Sequence, residues 1–86
     1  MKQVEDAEEF LKTLGFVEFR VRHHDRIARI EVHDEAIDRI TAEPIRRKVV
    51  EKLKFFGFKF VTVDLQGFRS GSLNELLSEE DKRKSL

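Results

Sequence analysis

One six-residue pattern occurs twice in this chain. Leu11-Lys12-Thr13-Leu14-Gly15-Phe16 is matched by Leu53-Lys54-Phe55-Phe56-Gly57-Phe58. Each copy reads as the last turn of a helix, a glycine where a left-handed C-terminal cap belongs, and a phenylalanine that opens a strand. The ordinary chemistry of helix-to-strand connections accounts for the echo better than an internal repeat does. Either way, a chain that twice passes from helix to strand through a glycine must build a mixed domain.

The periodicities between these points agree. Val4, Ala7, Phe10, Leu11 and Leu14 recur at helical spacing, so residues 2–14 read as an amphipathic helix. Phe16 to His23 alternates, with Val17, Phe19 and Val21 on one face and Glu18, Arg20 and Arg22 on the other. His24-Asp25-Arg26 supplies a polar turn, and Ile27 to Val32 alternates again, Ala28, Ile30 and Val32 opposing Arg29 and Glu31. The two runs predict an antiparallel hairpin. Asp34 is expected to cap a short helix through about Ile40. Thr41 is expected to cap the next, with Pro44 in its first turn, where a missing N–H does no harm. Ile45, Val49, Val50, Leu53 and Phe56 share one face of that helix. The following run, Phe58 to Leu65, is apolar on both faces for most of its length and predicts a central or covered strand.

The order helix–strand–strand–helix–strand–helix predicts an α+β domain. Its three strands should form one small sheet with the two long helices on one face, the crossover between the second and third strands being right-handed. That order is ferredoxin-like without the first strand. A single domain is expected over residues 1–78. Residues 79–86 form a charged tail expected to fray.

Composition narrows the function. The chain has 86 residues, room for one small domain. It has no Cys, so thiolate metal sites, disulfides and thiol nucleophiles are excluded. Lys+Arg and Asp+Glu balance at 17 each, which argues against a general nucleic-acid binder. No apolar run approaches the roughly 20 residues of a membrane span, and no secretory signal is visible, so a soluble cytoplasmic protein is expected. His23 and His24 point to opposite faces of a strand, and no metal site is expected. Nothing resembles a Ser-His-Asp arrangement, a Walker loop or a paired-carboxylate site, and no catalytic residue is assigned.

Two places could hold an anion. Ser72 and Glu75 fit the capping-box pattern at the start of a helix-like run from Leu73 to Glu80, which would set Arg69-Ser70-Gly71 among unpaired N–H donors. The bland alternative is a well-capped loop with Arg69 on the surface. The second place is the polar side of the hairpin, where Arg20, Arg22 and Arg29 project together and guanidinium grips phosphate or carboxylate in bidentate fashion. The alternative there is a solvated outer face with cross-strand pairs to Glu18 or Glu31, the preferred reading for Arg29. Asp64 reads either as a loop-fixing acceptor or as a site carboxylate. Of the eight Phe, Phe55, Phe60 and Phe68 do not all fit inside so small a core and suggest an interface.

The blocks Glu8-Glu9-Phe10-Leu11, Arg20-Val21-Arg22-His23, Ile27-Ala28-Arg29-Ile30-Glu31-Val32 and Val61-Thr62-Val63-Asp64-Leu65-Gln66-Gly67-Phe68-Arg69-Ser70-Gly71-Ser72-Leu73-Asn74 belong together. Over about residues 2–78 the chain resembles the C-terminal domain of the ATP-dependent sacrificial sulfur transferases. These help to build the nickel-pincer nucleotide cofactor of lactate racemase and belong to the PP-loop ATP pyrophosphatase, or adenine nucleotide alpha hydrolase-like, group. The resemblance implies a domain that binds the phosphate of a nucleotide-like substrate and supports the oligomer. It makes Arg20, Arg22 and Arg69 phosphate-binding candidates, with Ser70, Gly71 and Ser72 presenting N–H donors and Glu8, Asp64 and Asn74 in support. The PP-loop and the sulfur-donating Cys of the family are not in this sequence. The chain is therefore expected not to be an enzyme on its own and to bind no cofactor alone, ATP and magnesium belonging to a partner PP-loop protein.

Two readings follow from the resemblance: a separate subunit that docks on such a partner, or an orphan domain that kept the pocket for another small phosphorylated metabolite. The rival from a different class is a non-enzymatic interaction or homo-oligomerisation module. RNA binding on the arginine face is the weakest, since the sheet lacks the Trp and Tyr that usually stack bases.

Overall fold

The computed structural model describes residues 2–68. Helix α1 spans Lys2–Thr13, strands β1 and β2 span Phe19–His24 and Ile27–Val32, helices α2 and α3 span Asp34–Thr41 and Ile45–Phe55, and strand β3 spans Phe60–Val63. This is a small α+β fold, as the order of periodicities predicted. The expected last helix from Leu73 to Glu80 and the tail 79–86 lie outside the described residues.

The repeated pattern folds the same way twice. Phe16 N–H donates to Leu11 O at 3.2 Å and Gly15 N–H to Lys12 O at 3.0 Å. Phe58 N–H donates to Leu53 O at 3.1 Å and Gly57 N–H to Lys54 O at 2.9 Å. Each is the paired 6→1 and 5→2 arrangement of a Schellman cap, and it needs the positive φ that Gly15 (95°) and Gly57 (113°) supply. Leu11, Phe16, Leu53 and Phe58 are all buried. The cap motif therefore delivers two core residues at each end, each contributing about 1.5–3 kcal/mol by its burial.

The sheet has three strands in the order β1-β2-β3. β1 and β2 are antiparallel, with Val21 opposite Ile30 and Arg22 opposite Arg29. β2 and β3 are parallel, with Ala28 opposite Val61 and Ile30 opposite Val63. The strand missing from a ferredoxin-like arrangement leaves no gap, because β2 and β3 pair directly. Val21, Ala28, Ile30 and Val32 form one core with Ala7 and Leu11 of α1, Ile40 of α2 and Val49 and Leu53 of α3. The long helices thus share one face of the sheet. The carboxamide of Gln3 donates to Phe56 O at 3.0 Å and ties the start of α1 to the end of α3. Among the described residues no helix is long and apolar enough to cross a membrane.

Four expectations are corrected. Val17 does not face inward with Phe19 and Val21. It is 86% exposed, because pairing begins only at Phe19 and Val17 still belongs to the exit from the glycine cap. Among the described residues β3 is not central: the hairpin already occupies one side of β2, so β3 is left at the edge with Phe60 57% exposed. His33, not Asp34, stands at the N-cap of α2. Thr41 ends α2 instead of starting α3, its hydroxyl donating back to Ile37 O at 2.7 Å, and Pro44 takes the N-cap position of α3.

Candidate functional site

Both long helices cover one face of the sheet. The other face carries Arg20, Arg22, Arg29, Glu31, Thr62 and Asp64, and no helix of the described residues covers it. Its composition follows from strand alternation: Arg20 and Arg22 of β1 and Arg29 and Glu31 of β2 occupy the outward positions, with His24 and Ile27 at the turn end of the same face.

Register creates a problem that the side chains resolve. Arg22 lies directly opposite Arg29, and like charges in that position repel. Glu31 Oε2 accepts from Arg22 Nε at 3.2 Å and from Arg29 Nη2 at 3.2 Å, bridging the two. The Glu31 side chain is only 12% exposed, so this bridge is better shielded than an ordinary surface pair. Asp64 Oδ2 lies 4.0 Å from Arg29 Nε, and that buried Nε has no hydrogen-bond partner among the described residues. Asp64 Oδ1 accepts from Gln66 N–H at 2.9 Å, so Asp64 fixes its turn as one of its two readings proposed.

Arg20 is different. It lies opposite Glu31 in the register, yet it makes no ion pair among the described residues. Its guanidinium lies 5.6 Å from the centroid of the Phe68 ring, within cation–π range. Phe68 is placed by the chain beyond β3. Gly67 turns with φ 82°, and Phe68 N–H donates to Val32 O at 2.6 Å. A Cβ on Gly67 would come within 2.8 Å of Val32 O and 2.6 Å of Asp34 Oδ1, so only glycine allows this approach. The His33 ring meets Phe68 edge-on with centroids 5.9 Å apart, and His33 Nε2 pairs with Glu18.

The structure thus brings together Arg20, Arg22 and Asp64 of the expected residues. Glu8 is not with them: it sits half-buried on α1, across the sheet from the arginines. Arg69, Ser70, Gly71, Ser72 and Asn74 lie outside the described residues. The His23 ring packs at a tilt against Phe58, centroids 5.7 Å apart, and faces the helices, while His24 is exposed on the opposite face. Among the described residues no group of three His, Cys, Asp or Glu could hold a metal ion. Sequence reasoning named Glu31 only as one possible pairing partner and Phe68 only as a surplus aromatic. Their joint placement depends on register and on the Gly67 turn, which neither strand pattern reveals. The exposed Phe55, 79% accessible, lies elsewhere, beside Phe10, Lys48 and Lys52 on the helix side.

No protein-family model matches the chain. It is 43% identical over 77 residues, 90% of its length, to the pyridinium-3,5-bisthiocarboxylic acid mononucleotide synthase of Lactiplantibacillus plantarum, covering 27% of that protein. It is 37% identical over 79 residues to the uncharacterized protein slr1717 of Synechocystis, covering 30% of it. It is 34% identical over 70 residues to the uncharacterized protein MJ0830 of Methanocaldococcus jannaschii, covering 27%. The chain therefore spans less than a third of the length of each of these proteins.

Proposed function

We infer that this chain acts in cofactor biosynthesis as an accessory C-terminal domain or subunit of a PP-loop ATP-dependent sulfur transferase. It would bind the phosphate of a nucleotide-like substrate and support assembly. The similarity to a mononucleotide synthase over nine tenths of the chain supports the pathway class. The part of that synthase lying beyond the match would correspond to the ATP-using domain. ATP and magnesium would be bound on that partner.

One observation carries the site. Arg20 and Arg22 project from one edge strand onto the sheet face that the helices leave open, and Phe68 stacks on Arg20. Two guanidiniums at alternate strand positions share one face, and each can grip a phosphate in bidentate fashion. Arg69, next to Phe68 in the chain, would add a third, and the N–H groups of Ser70, Gly71 and Ser72 would complete the cradle.

The test is a chemical-shift titration of the full chain with nicotinic acid mononucleotide, AMP and inorganic phosphate. Shifts should concentrate at Arg20, Arg22 and the Phe68–Asn74 stretch. The double variant Arg20→Ala with Arg69→Ala should lose them while its far-UV spectrum stays that of the parent. Binding that survives in the double variant would place the pocket elsewhere.

A second reading has its own observation. Phe55 is 79% exposed beside Phe10, with Lys52 Nζ 5.4 Å from the Phe55 ring centroid, and β3 presents Phe60 at the sheet edge. A non-enzymatic interaction module would use such surfaces, and solution mass would reveal self-association.

A further inference from the structure

We propose that Glu31 is the specificity determinant of the arginine face and cancels the advantage that its arginines would otherwise give di- and triphosphates over a single phosphoryl group. This rests on the reading of that face as an anion site.

The face brings Arg20, Arg22 and Arg29 together with the carboxylates Glu31 and Asp64, and with Glu18 at its edge beside His33, so its positive and negative charges balance three against three. Position matters more than the sum. Glu31 lies on the central strand, opposite Arg20 and bonded to both Arg22 and Arg29 at 3.2 Å. Its side chain is 12% exposed, so its field is less screened by water than that of a surface carboxylate. A phosphate held by Arg20 and the outer edge of Arg22 has attraction on the β1 side and this carboxylate on its inner side. A compact group sits at the edge and avoids it. A longer polyphosphate laid across the sheet towards Arg29 must pass over Glu31.

The bridge has a structural task as well, keeping Arg22 and Arg29 from repelling each other. The two roles predict different behaviour. A clamp that only orients arginines changes the affinity of all anions by a similar factor. A fixed negative charge acts in proportion to ligand charge, so its removal multiplies affinity more for a highly charged ligand.

The experiment titrates the full chain with inorganic phosphate and with inorganic triphosphate at one fixed ionic strength, following the amide shifts of β1 and β2. The wild type should bind triphosphate within about threefold of phosphate, whereas three arginines without Glu31 would favour the more charged ligand by tenfold or more. Glu31→Gln should strengthen phosphate about threefold and triphosphate about tenfold. Glu31→Asp, which keeps the charge, should stay within about twofold of wild type for both.

Equal factors for the two ligands in Glu31→Gln, or the same selectivity change in Glu31→Asp, would overturn the proposal. So would a wild type that already prefers triphosphate by tenfold, a measurement that needs no variant to fold. Phosphate shifts that avoid Arg20 and Arg22 altogether would instead overturn the anion-site reading, and the role of Glu31 would fall with it.

Discussion

Arg20 faces Glu31 across the β1–β2 ladder, yet its guanidinium rests 5.6 Å from the Phe68 ring centroid instead of pairing with that carboxylate. The Glu31 oxygen is already taken by Arg22 and Arg29. Arg20 is thus held by a cation–π contact, and its N–H donors have no hydrogen-bond partner among the described residues.

Phe68→Ala should therefore weaken phosphate binding without unfolding the chain. A cation–π contact of this exposure is worth about 0.5–1 kcal/mol, so a loss of about two- to fivefold in affinity is expected. Phosphate titration of the variant checks it, with Phe68→Tyr expected to restore most of the loss.

Gly67→Ala should act through the backbone. The added methyl would meet Val32 O and Asp34 Oδ1, and the residue would be held at φ 82°. The expected cost is about 1–3 kcal/mol, together with displacement of Phe68. Urea unfolding gives the first and the Phe68 amide shift the second.

Leu53→Ala should be the most damaging of these changes. Leu53 is fully buried and its carbonyl accepts the Phe58 N–H of the glycine cap. Truncation is expected to cost about 2–5 kcal/mol, a large share of the order of 5–10 kcal/mol available to a domain of this size. A thermal melt should show a drop of at least about 10 °C.

Phe55→Asp should leave stability within about 0.5 kcal/mol, because the ring is already 79% exposed. If the chain self-associates through its helix side, the same variant should be monomeric by sedimentation at concentrations where the wild type is not.

Much of the fold was legible because it is written in local chemistry. Gly15 and Gly57 announce the two caps, and their neighbours Leu11, Phe16, Leu53 and Phe58 announce core. The hairpin follows from alternation on either side of Asp25, whose φ of 57° suits a tight turn. What misled was equally specific. Phe60 makes β3 look covered on both faces, but it is 57% exposed: apolar content reports what a strand can bury and not what lies beside it. Thr41 looked like a cap because Ser, Thr, Asp and Asn favour helix starts, whereas a Thr in a last turn can satisfy its hydroxyl on a carbonyl behind it.

The sequence by itself determined the alternating charge of the hairpin, and with it the fact that Arg20, Arg22 and Arg29 would share one face, because side-chain period along a strand is a local property. Only the tertiary structure decided what that face is. The register set Arg22 against Arg29, the parallel docking of β3 brought Asp64 near Arg29, and the Gly67 turn carried Phe68 back onto Arg20. Each of these depends on partners distant along the chain, and electrostatic pairing among four such side chains is settled by distances that no one-dimensional pattern contains.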